Sequence, residues 1–182
     1  SDFEAPAGRG LVLLAFSILA RLETENGRPQ QALNYLDRAL ALDPDALEVL
    51  LQRAHLLHEI DRNDAAWTDI ERLIEKMPDH ATGLPLAGAL LLELGRPVEA
   101  LHPLSRRLES SPEEAETLLL RARCLIQQIP TRPQEADQLV VSVRSDLEIA
   151  TRLIPRDPRP AYYQGLLAEA RTRYADAVAH HG

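Results

Sequence analysis

Apolar residues recur along the chain at helical spacing, and no segment alternates apolar and polar residues as a half-buried strand does. The clearest example begins at Ala136 and continues through Val140, Val143, Leu147 and Ala150 in steps of four and three residues. This spacing places the apolar side chains on one face of a helix. The pattern therefore predicts an all-α protein.

Proline residues interrupt this pattern at a constant interval. Pro44, Pro78 and Pro112 are 34 residues apart, and each ends a helix-like segment. A small residue follows each proline ten positions later, at Ala54, Gly88 and Ala122. Ala66 and Ala100 stand twelve positions further along. The sequence therefore indicates a repeat of two helices, of which the first carries the small residue and the second the alanine.

Small residues at these positions have a packing role. They allow two helices to approach to about 8–10 Å between axes, so each pair can form an antiparallel hairpin. We therefore expect Ala66 and Ala100 to be buried at close helix crossings. A single pair cannot bury its apolar face alone, and stacking of successive pairs supplies the core.

The fourth repeat is longer than the others. Pro155 follows Pro112 by 43 residues, an excess of nine over the regular interval. We assign two of the nine to the turn at 129–133 and seven to the following helix, near 134–154. That helix should then be about two turns longer than its equivalents, because seven residues preserve its apolar face. The register resumes at Gly165 and Ala177, and the last pair is expected to be truncated.

These features resemble the tetratricopeptide repeat family over nearly the whole chain. In the first unit the resemblance is carried by Gly27, Ala32, Leu36, Ala39 and Pro44. It implies a right-handed superhelical solenoid of about five helix-turn-helix repeats. The repeats lie near 13–46, 47–80, 81–114, 115–157 and 158–182, after a lead-in at 1–12. Pro85 and Pro103 fall inside predicted helices and should displace a helix start or cause a kink.

Charge and composition narrow the range of partners. The formal net charge is −8, which disfavours nucleic acid and anionic membrane surfaces. The apolar run at 10–20 is too short to span a bilayer, so we expect no direct membrane insertion. Lys76 is the only lysine, and the other Lys/Arg positions are all arginine. This preference for arginine is typical of a GC-rich bacterial genome. The sequence does not choose between bacterial cytoplasm and periplasm.

The sequence contains few candidates for metal-binding or catalytic residues. His55 and Glu59 can share one helix face, with His58 beside them, but a third strong metal ligand is missing. Cys124 is the only cysteine, so it forms no internal disulfide, and its apolar neighbours favour a buried, inert thiol. Neither a phosphate-binding loop nor a nucleophile elbow occurs. We predict no enzymatic activity, no metal site and no cofactor.

The resemblance also implies a binding surface, because first helices line the concave face in this family. Candidate partner-binding residues in that register are Arg21, Leu51, His55, Leu92, Leu119, Arg123, Ile126, Tyr162 and Leu166. The apolar members of the third to fifth units are expected to be exposed and to hold the partner, with Tyr162 as the main anchor. Arg123 would pair with an acidic partner residue.

The function predicted from these features is a scaffold that binds a protein or peptide segment in its groove. The alternative is a targeting or assembly module of a larger bacterial protein, whose activity lies in secretion, the envelope or a modifying enzyme. Self-association through the uncapped last helix is a third possibility. Chaperone-binding members of the family use a lysine and asparagine clamp, and the matching positions here carry Ser17, Arg21, Gln52, Thr82 and Leu86. That clamp is absent.

Overall fold

The computed structural model describes the backbone of residues 6–181 and the side chains of residues 8–175. Within that range the chain forms nine α-helices and two short 3-10 segments, with no strand. The helices are α1 Pro6–Glu25, α2 Pro29–Leu42, α3 Leu47–Glu59, α4 Asn63–Lys76, α5 Gly83–Glu93, α6 Pro97–Ser110, α7 Ala115–Gln128, α8 Ala136–Leu153 and α9 Arg159–His181. The 3-10 segments, Ile129–Thr131 and Pro133–Glu135, lie between α7 and α8.

The second helix of each of the first three pairs shows the sequence repeat most clearly. α2, α4 and α6 begin 34 residues apart, and each is 14 residues long. The turn before each helix contains a residue with left-handed backbone geometry, at Gly27 (φ 70°), Asp61 (φ 59°) and Gly95 (φ 72°). Glycine suits this geometry because it has no Cβ to clash with the backbone. The repeat therefore fixes both where the first helix ends and where the second begins.

Helix packing follows the predicted pairs within two compact units, Ser1–Gly83 and Leu84–Gly182. In the first unit α1 packs against α2, α3 packs against α4, and α2 contacts α3. In the second unit α7 packs against α6 and α8, and α9 lies against α7 and α8. Ala66 and Ala100 are fully buried, as expected of small residues on packed faces.

Two helix starts differ from a simple reading of the repeat. α1 begins at Pro6, so its first turns lie inside the 1–12 segment that the sequence suggested as a lead-in. α5 begins at Gly83, whereas α3 and α7 start at Leu47 and Ala115 and would place it at residue 81. Pro85 then lies in the first turn of α5, where a missing N–H is tolerated, so the expected displacement of the helix start is confirmed.

The lengthened helix of the fourth repeat is confirmed in position and only partly in length. α8 is continuous from Ala136 to Leu153, and the predicted apolar face from Ala136 to Ala150 is buried. The helix has 18 residues against 14 in its equivalents, which makes it about 6 Å, or one turn, longer rather than two turns. The other additional residues lie before α8, mainly in the segment 129–135 that contains the two 3-10 segments.

The last repeat departs from the prediction. A turn was expected between Gly165 and Ala177, but α9 is one continuous helix from Arg159 to His181. By the repeat register Thr172 stands where Asp61 ends α3, and a β-branched residue strongly disfavours left-handed geometry. Gly165, expected at a close crossing, is exposed, and a Cβ built on it would meet nothing within 4 Å. The side chain of Ala177 lies outside the described residues.

Candidate functional site

A groove in the first unit lies between the first helices of two successive pairs, α1 and α3. Its volume is about 930 Å³. Gln52 on α3 donates a hydrogen bond of 3.0 Å from Nε2 to the carbonyl oxygen of Ser17, which joins the two helices at its floor. Leu13, Leu14 and Ile18 of α1 form one apolar wall, and Leu47 and Leu51 of α3 form the other.

The orientation of α1 is set by contacts on its opposite side. The ring of Phe16 lies 6.2 Å from that of Tyr35 on α2, and the guanidinium carbon of Arg38 lies 5.0 Å from the centre of the Phe16 ring. With Phe16 turned toward α2, the neighbouring Ile18 and Arg21 line the groove that faces α3. An aromatic contact and a cation–π contact therefore position this wall of the site.

Three of the sequence-predicted residues meet in this groove. Arg21, Leu51 and His55 all line it. Arg21 and His55 are exposed, and Leu51 is half-buried. Although the His55 side chain is exposed by area, the groove partly desolvates it, and this is the main cause that lowers its pKa; Glu59 opposes the shift and His58 adds to it. The imidazole is therefore neutral at neutral pH and offers a hydrogen-bonding group rather than a charge.

The rim of the groove is acidic. Asp43, Glu48 and Glu59 line it, against a single arginine, Arg21. Arg21 is itself 4.0 Å from the carboxylate of Glu25, with both side chains well exposed. The groove thus combines apolar walls with an excess of negative charge at its edge.

An apolar stripe on α1 extends beyond the groove. It consists of Leu11, Leu14, Ile18 and Leu22, which are 68%, 56%, 41% and 46% exposed. Their spacing of three and four residues places them along one side of the helix. Leu14 and Ile18 belong to the groove as well, so the stripe and the groove are continuous. The sequence analysis did not identify this stripe, because it considered the apolar run at 10–20 only as a possible membrane span.

In the second unit the structure corrects the expected exposure of three residues. Leu92, Leu119 and Ile126 are buried, with exposures of 4%, 2% and 7%. Leu119 and Ile126 belong to an apolar cluster that also contains Leu167 of α9, and Leu166 packs against the same cluster. α9 therefore contributes to the core that buries these two α7 side chains, and they are not available as exposed anchors.

Tyr162 and Arg123 have different surroundings. Tyr162 is 63% exposed, and its ring lies 5.5 Å from that of Tyr163. Arg123 is already paired, since its Nη1 lies 3.0 Å from a carboxylate oxygen of Glu93 on α5. A second ion pair of this kind joins Arg159 of α9 to Glu116 of α7. The sequence did not reveal that these arginines have partners within the chain.

The groups that could carry chemistry are engaged or buried. His58 Nδ1 lies 2.8 Å from Oδ1 of Asn63, in a side-chain hydrogen bond. Cys124 is buried as predicted, and burial raises the pKa of its thiol to about 12, with nearby Arg123 opposing this only partly. Among the described residues no group of three or more histidines, cysteines or acids is placed to hold a metal ion. Over the same range no helix has the length and apolar character needed to cross a membrane.

Comparison with known proteins shows which family the chain resembles. Residues 23–89 match the family described as tetratricopeptide repeat. No curated protein matches the chain in sequence. The resemblance to tetratricopeptide repeat proteins is confirmed by this match and by solved structures with the same fold. The predicted fold class, an all-α solenoid of that type, is confirmed with it.

Three of the similar structures illustrate the likeness. A MamA segment (residue 41 to the end) from Desulfovibrio magneticus RS-1 has a TM-score of 0.75 at 18% identity, over 93% of this chain and 90% of that one. YrrB, a tetratricopeptide repeat protein with an unusual peptide-binding site, has a TM-score of 0.72 at 18% identity, over 87% and 77%. The second such domain of human RPAP3, in complex with an HSP70 peptide, has a TM-score of 0.60 at 16% identity, over 64% and 98%.

Proposed function

We propose that this chain is a non-catalytic interaction scaffold that binds a segment of a partner protein in the α1/α3 groove. The observation that carries the proposal is the continuity of this groove with the exposed apolar stripe of Leu11, Leu14, Ile18 and Leu22. Single exposed apolar residues are common, whereas a contiguous patch usually marks an interaction site. The peptide-binding site of YrrB and the peptide complex of RPAP3 support a peptide partner for this fold.

The charge of the groove indicates what the partner segment carries. Leu14, Ile18 and Leu51 would receive apolar side chains, and Glu48 and Glu59 on the rim would favour arginine or lysine between them. Hydrogen bonds from such cations to the carboxylates would set the orientation of the segment. The expected partner is therefore a segment with alternating apolar and basic residues.

The second unit contributes a further proposed contact. Tyr162 is its most exposed aromatic residue among the described side chains, and a phenol combines a large apolar surface with a hydrogen-bonding tip. Leu166, half-buried on the same helix, borders the apolar cluster.

Nothing in the described residues favours the alternative of a targeting module within a larger protein.

A peptide-display experiment tests the groove. Twelve-residue peptides are selected from a random library on the folded protein, and their affinities are measured by fluorescence polarisation. We expect the selected peptides to be apolar and basic. Leu14→Glu with Ile18→Glu should weaken their binding at least tenfold, because it places charge on the apolar wall.

Val98 supplies the matched control, since it is also 56% exposed but lies on α6. Val98→Glu should leave the affinity within about twofold, while Tyr162→Ala reports separately on the second unit. Circular dichroism verifies that each variant remains helical. Equal peptide affinity for the parent and the doubly substituted protein would refute binding in the α1/α3 groove.

A further inference from the structure

A second groove, in the other unit, has the opposite charge. It lies between α8 and α9, with a volume of about 510 Å³. Arg144 and Arg152 of α8 and Arg171 of α9 line it, and Glu148 is the acidic residue among them. None of the three arginines forms an ion pair or hydrogen bond with a described residue. The groove therefore concentrates unpaired positive charge in a chain whose net charge is −8.

The groove continues along both helices. An adjoining cavity of about 560 Å³ shares Ala168 and Arg171 with it and adds Asp137 and Tyr174. The positive charge thus lies mainly at the end marked by Arg144 and Arg152. From Asp137 to Arg152 the groove follows α8 for about 22 Å, the length of roughly 15 helical residues.

The repeat register relates the α8/α9 groove to the surface between α2 and α3, which α4 covers. Pro155 corresponds to Pro44, so α8 and α9 correspond to α2 and α3. The lining residues Arg144, Glu148, Gln164 and Ala168 then stand at the positions of Leu33, Asp37, Arg53 and Leu57. In the first unit those four residues border a cavity of only about 250 Å³, because Thr68 and Asp69 of α4 form its third wall.

The contacts of α4 show what this position accommodates. Arg53 of α3 donates hydrogen bonds of 2.7 and 2.6 Å from Nε and Nη2 to the carboxylate of Asp69. Leu33 and Leu57 beneath are 3% and 4% exposed. The surface formed by α2 and α3 therefore accommodates a further helix, α4. That helix presents a carboxylate to an arginine of α3. At the α8/α9 groove the described residues form a single helix, α9, from Arg159 to His181, and they contribute no helix equivalent to α4.

We propose that the α8/α9 groove binds an acidic amphipathic α-helix of a partner protein. The shape follows from the α4 precedent, and the charge follows from Arg144, Arg152 and Arg171. Arginine suits this role because its planar guanidinium can donate two parallel hydrogen bonds to one carboxylate. Apolar residues of the incoming helix would pack on Ala168 and on the aliphatic stems of the arginines.

A helical peptide based on α4 is the probe. It has the sequence of residues 63–76 with Arg72→Glu and Lys76→Glu, a fluorescent label, and a side-chain staple that maintains the helix. A matched peptide carries lysine at positions 71, 72, 75 and 76. We expect the acidic peptide to bind the full chain at least tenfold more tightly than the basic one, with an affinity that falls as salt rises.

Two protein variants locate the site. Arg144→Glu with Arg171→Glu should weaken binding of the acidic peptide at least tenfold. Arg156→Glu is the control, because Arg156 is exposed, has no described ion-pair partner, and does not line the groove; it should change the affinity less than twofold. Equal binding of both peptides, no binding, or equal losses in both variants would overturn the proposal.

Sedimentation velocity distinguishes the other occupant of this surface. We expect the parent and the Arg144→Glu, Arg171→Glu variant to sediment identically without peptide. A parent dimer that becomes monomeric in this variant would show that a second copy of the chain fills the groove, and the proposal of an acidic partner helix would then be wrong. The Leu14 and Ile18 substitutions of the first unit should leave binding of the acidic peptide unchanged, so failure of one site is separable from failure of the other.

Discussion

Arg121 donates hydrogen bonds of 2.8 and 2.6 Å to the two carboxylate oxygens of Asp146, a residue only 2% exposed. Arg53 and Asp69 make the same bidentate pair between α3 and α4. The two members are 16 residues apart in the regular repeat and 25 in the fourth. All nine additional residues therefore lie between Arg121 and Asp146, and the pair is maintained across them.

This pair gives the first stability prediction. Arg121→Met leaves the Asp146 carboxylate buried without its partner and should lower the free energy of unfolding by about 3 kcal/mol. Adding Asp146→Leu should recover much of that loss, because an apolar pair needs no charge compensation. The third repeat already has such a replacement, with buried Ala87 and Pro103 at the equivalent positions. Urea denaturation followed by circular dichroism measures all three proteins.

An exposed ion pair provides the control for this prediction. Arg173 pairs with Glu169 on the surface of α9, with side chains 71% and 52% exposed. Arg173→Met should change the stability by less than about 0.5 kcal/mol. If Arg121→Met alone is no more damaging than the double substitution, the buried carboxylate does not depend on its arginine.

Gly88 and Gly165 occupy the same register position but should respond oppositely to alanine. A Cβ on Gly88 would lie 2.4 Å from side-chain atoms of Leu104, which is fully buried. Gly88→Ala should therefore destabilise the protein by about 1–3 kcal/mol through overpacking. Gly165→Ala meets no neighbour and should stabilise helix α9 by about 0.5–1 kcal/mol. Thermal melts of the two variants test the assigned crossing, and a decrease in both melting temperatures would contradict it.

Asp61 is expected to be a poorer turn residue than its two equivalents. It adopts φ 59°, where Gly27 and Gly95 adopt 70° and 72°. Asp61→Gly should raise the free energy of unfolding by about 0.5 kcal/mol, since glycine has no Cβ strain in this region. Asp61→Ala should lower it, because alanine lacks both that freedom and a side chain that tolerates the left-handed region. The opposite order in urea denaturation would mean that the aspartate makes a contact that outweighs its strain.

Because the Cys124 thiol is buried, we expect the stability of the protein to depend on pH in the alkaline range. Burial raises the pKa of its thiol to about 12, from about 9 when exposed. At pH 8 the native thiol should react with an aromatic disulfide reagent at least about a hundredfold more slowly than the denatured chain. Because the folded state binds the proton more tightly, this group's contribution to stability is complete below pH 9. It is lost as the pH rises toward 12.

Cys124→Ala isolates this effect from tyrosine and lysine titration in the same range. The difference in unfolding free energy between parent and variant should be constant below pH 9 and shrink above it. Rapid labelling of the native parent at pH 8 would show that the thiol is reachable from solvent.

Much of the fold was predictable because turn residues repeat as strictly as the helices do. Proline and small residues at intervals of 34 located α2, α4 and α6, and the continuous apolar face located α8. The error in the last repeat arose because Gly165 marks a first helix in the pattern, whereas the turn depends on a different position. That position is Thr172, whose β-branched side chain cannot adopt the left-handed geometry of Gly27, Asp61 and Gly95 without strain.

The candidate site was less predictable, because the repeat register fixes a helix face but not what covers it. Leu51 and Leu119 occupy the same position two repeats apart. Leu51 is half-buried and lines a groove, whereas Leu119 is buried in a cluster with residues of α9. The exposure of a side chain depends on which helix lies next to it in space. Identical residues at the same register position can therefore differ in exposure.

Arg53 also has consequences for how the first unit opens. Its Nη1 lies 2.6 Å from Asp37 of α2, while its other nitrogens hold Asp69 of α4. One guanidinium thus joins three consecutive helices, and detachment of either outer helix disrupts hydrogen bonding around the same charge. Amide protons of α2 and α4 should consequently exchange with solvent as one cooperative block. At Arg121 the position of Asp37 is taken by Ser105, so this guanidinium binds Asp146 of α8 without an equivalent carboxylate on α6. We therefore expect the amide protons of α6 and α8 to exchange independently of one another.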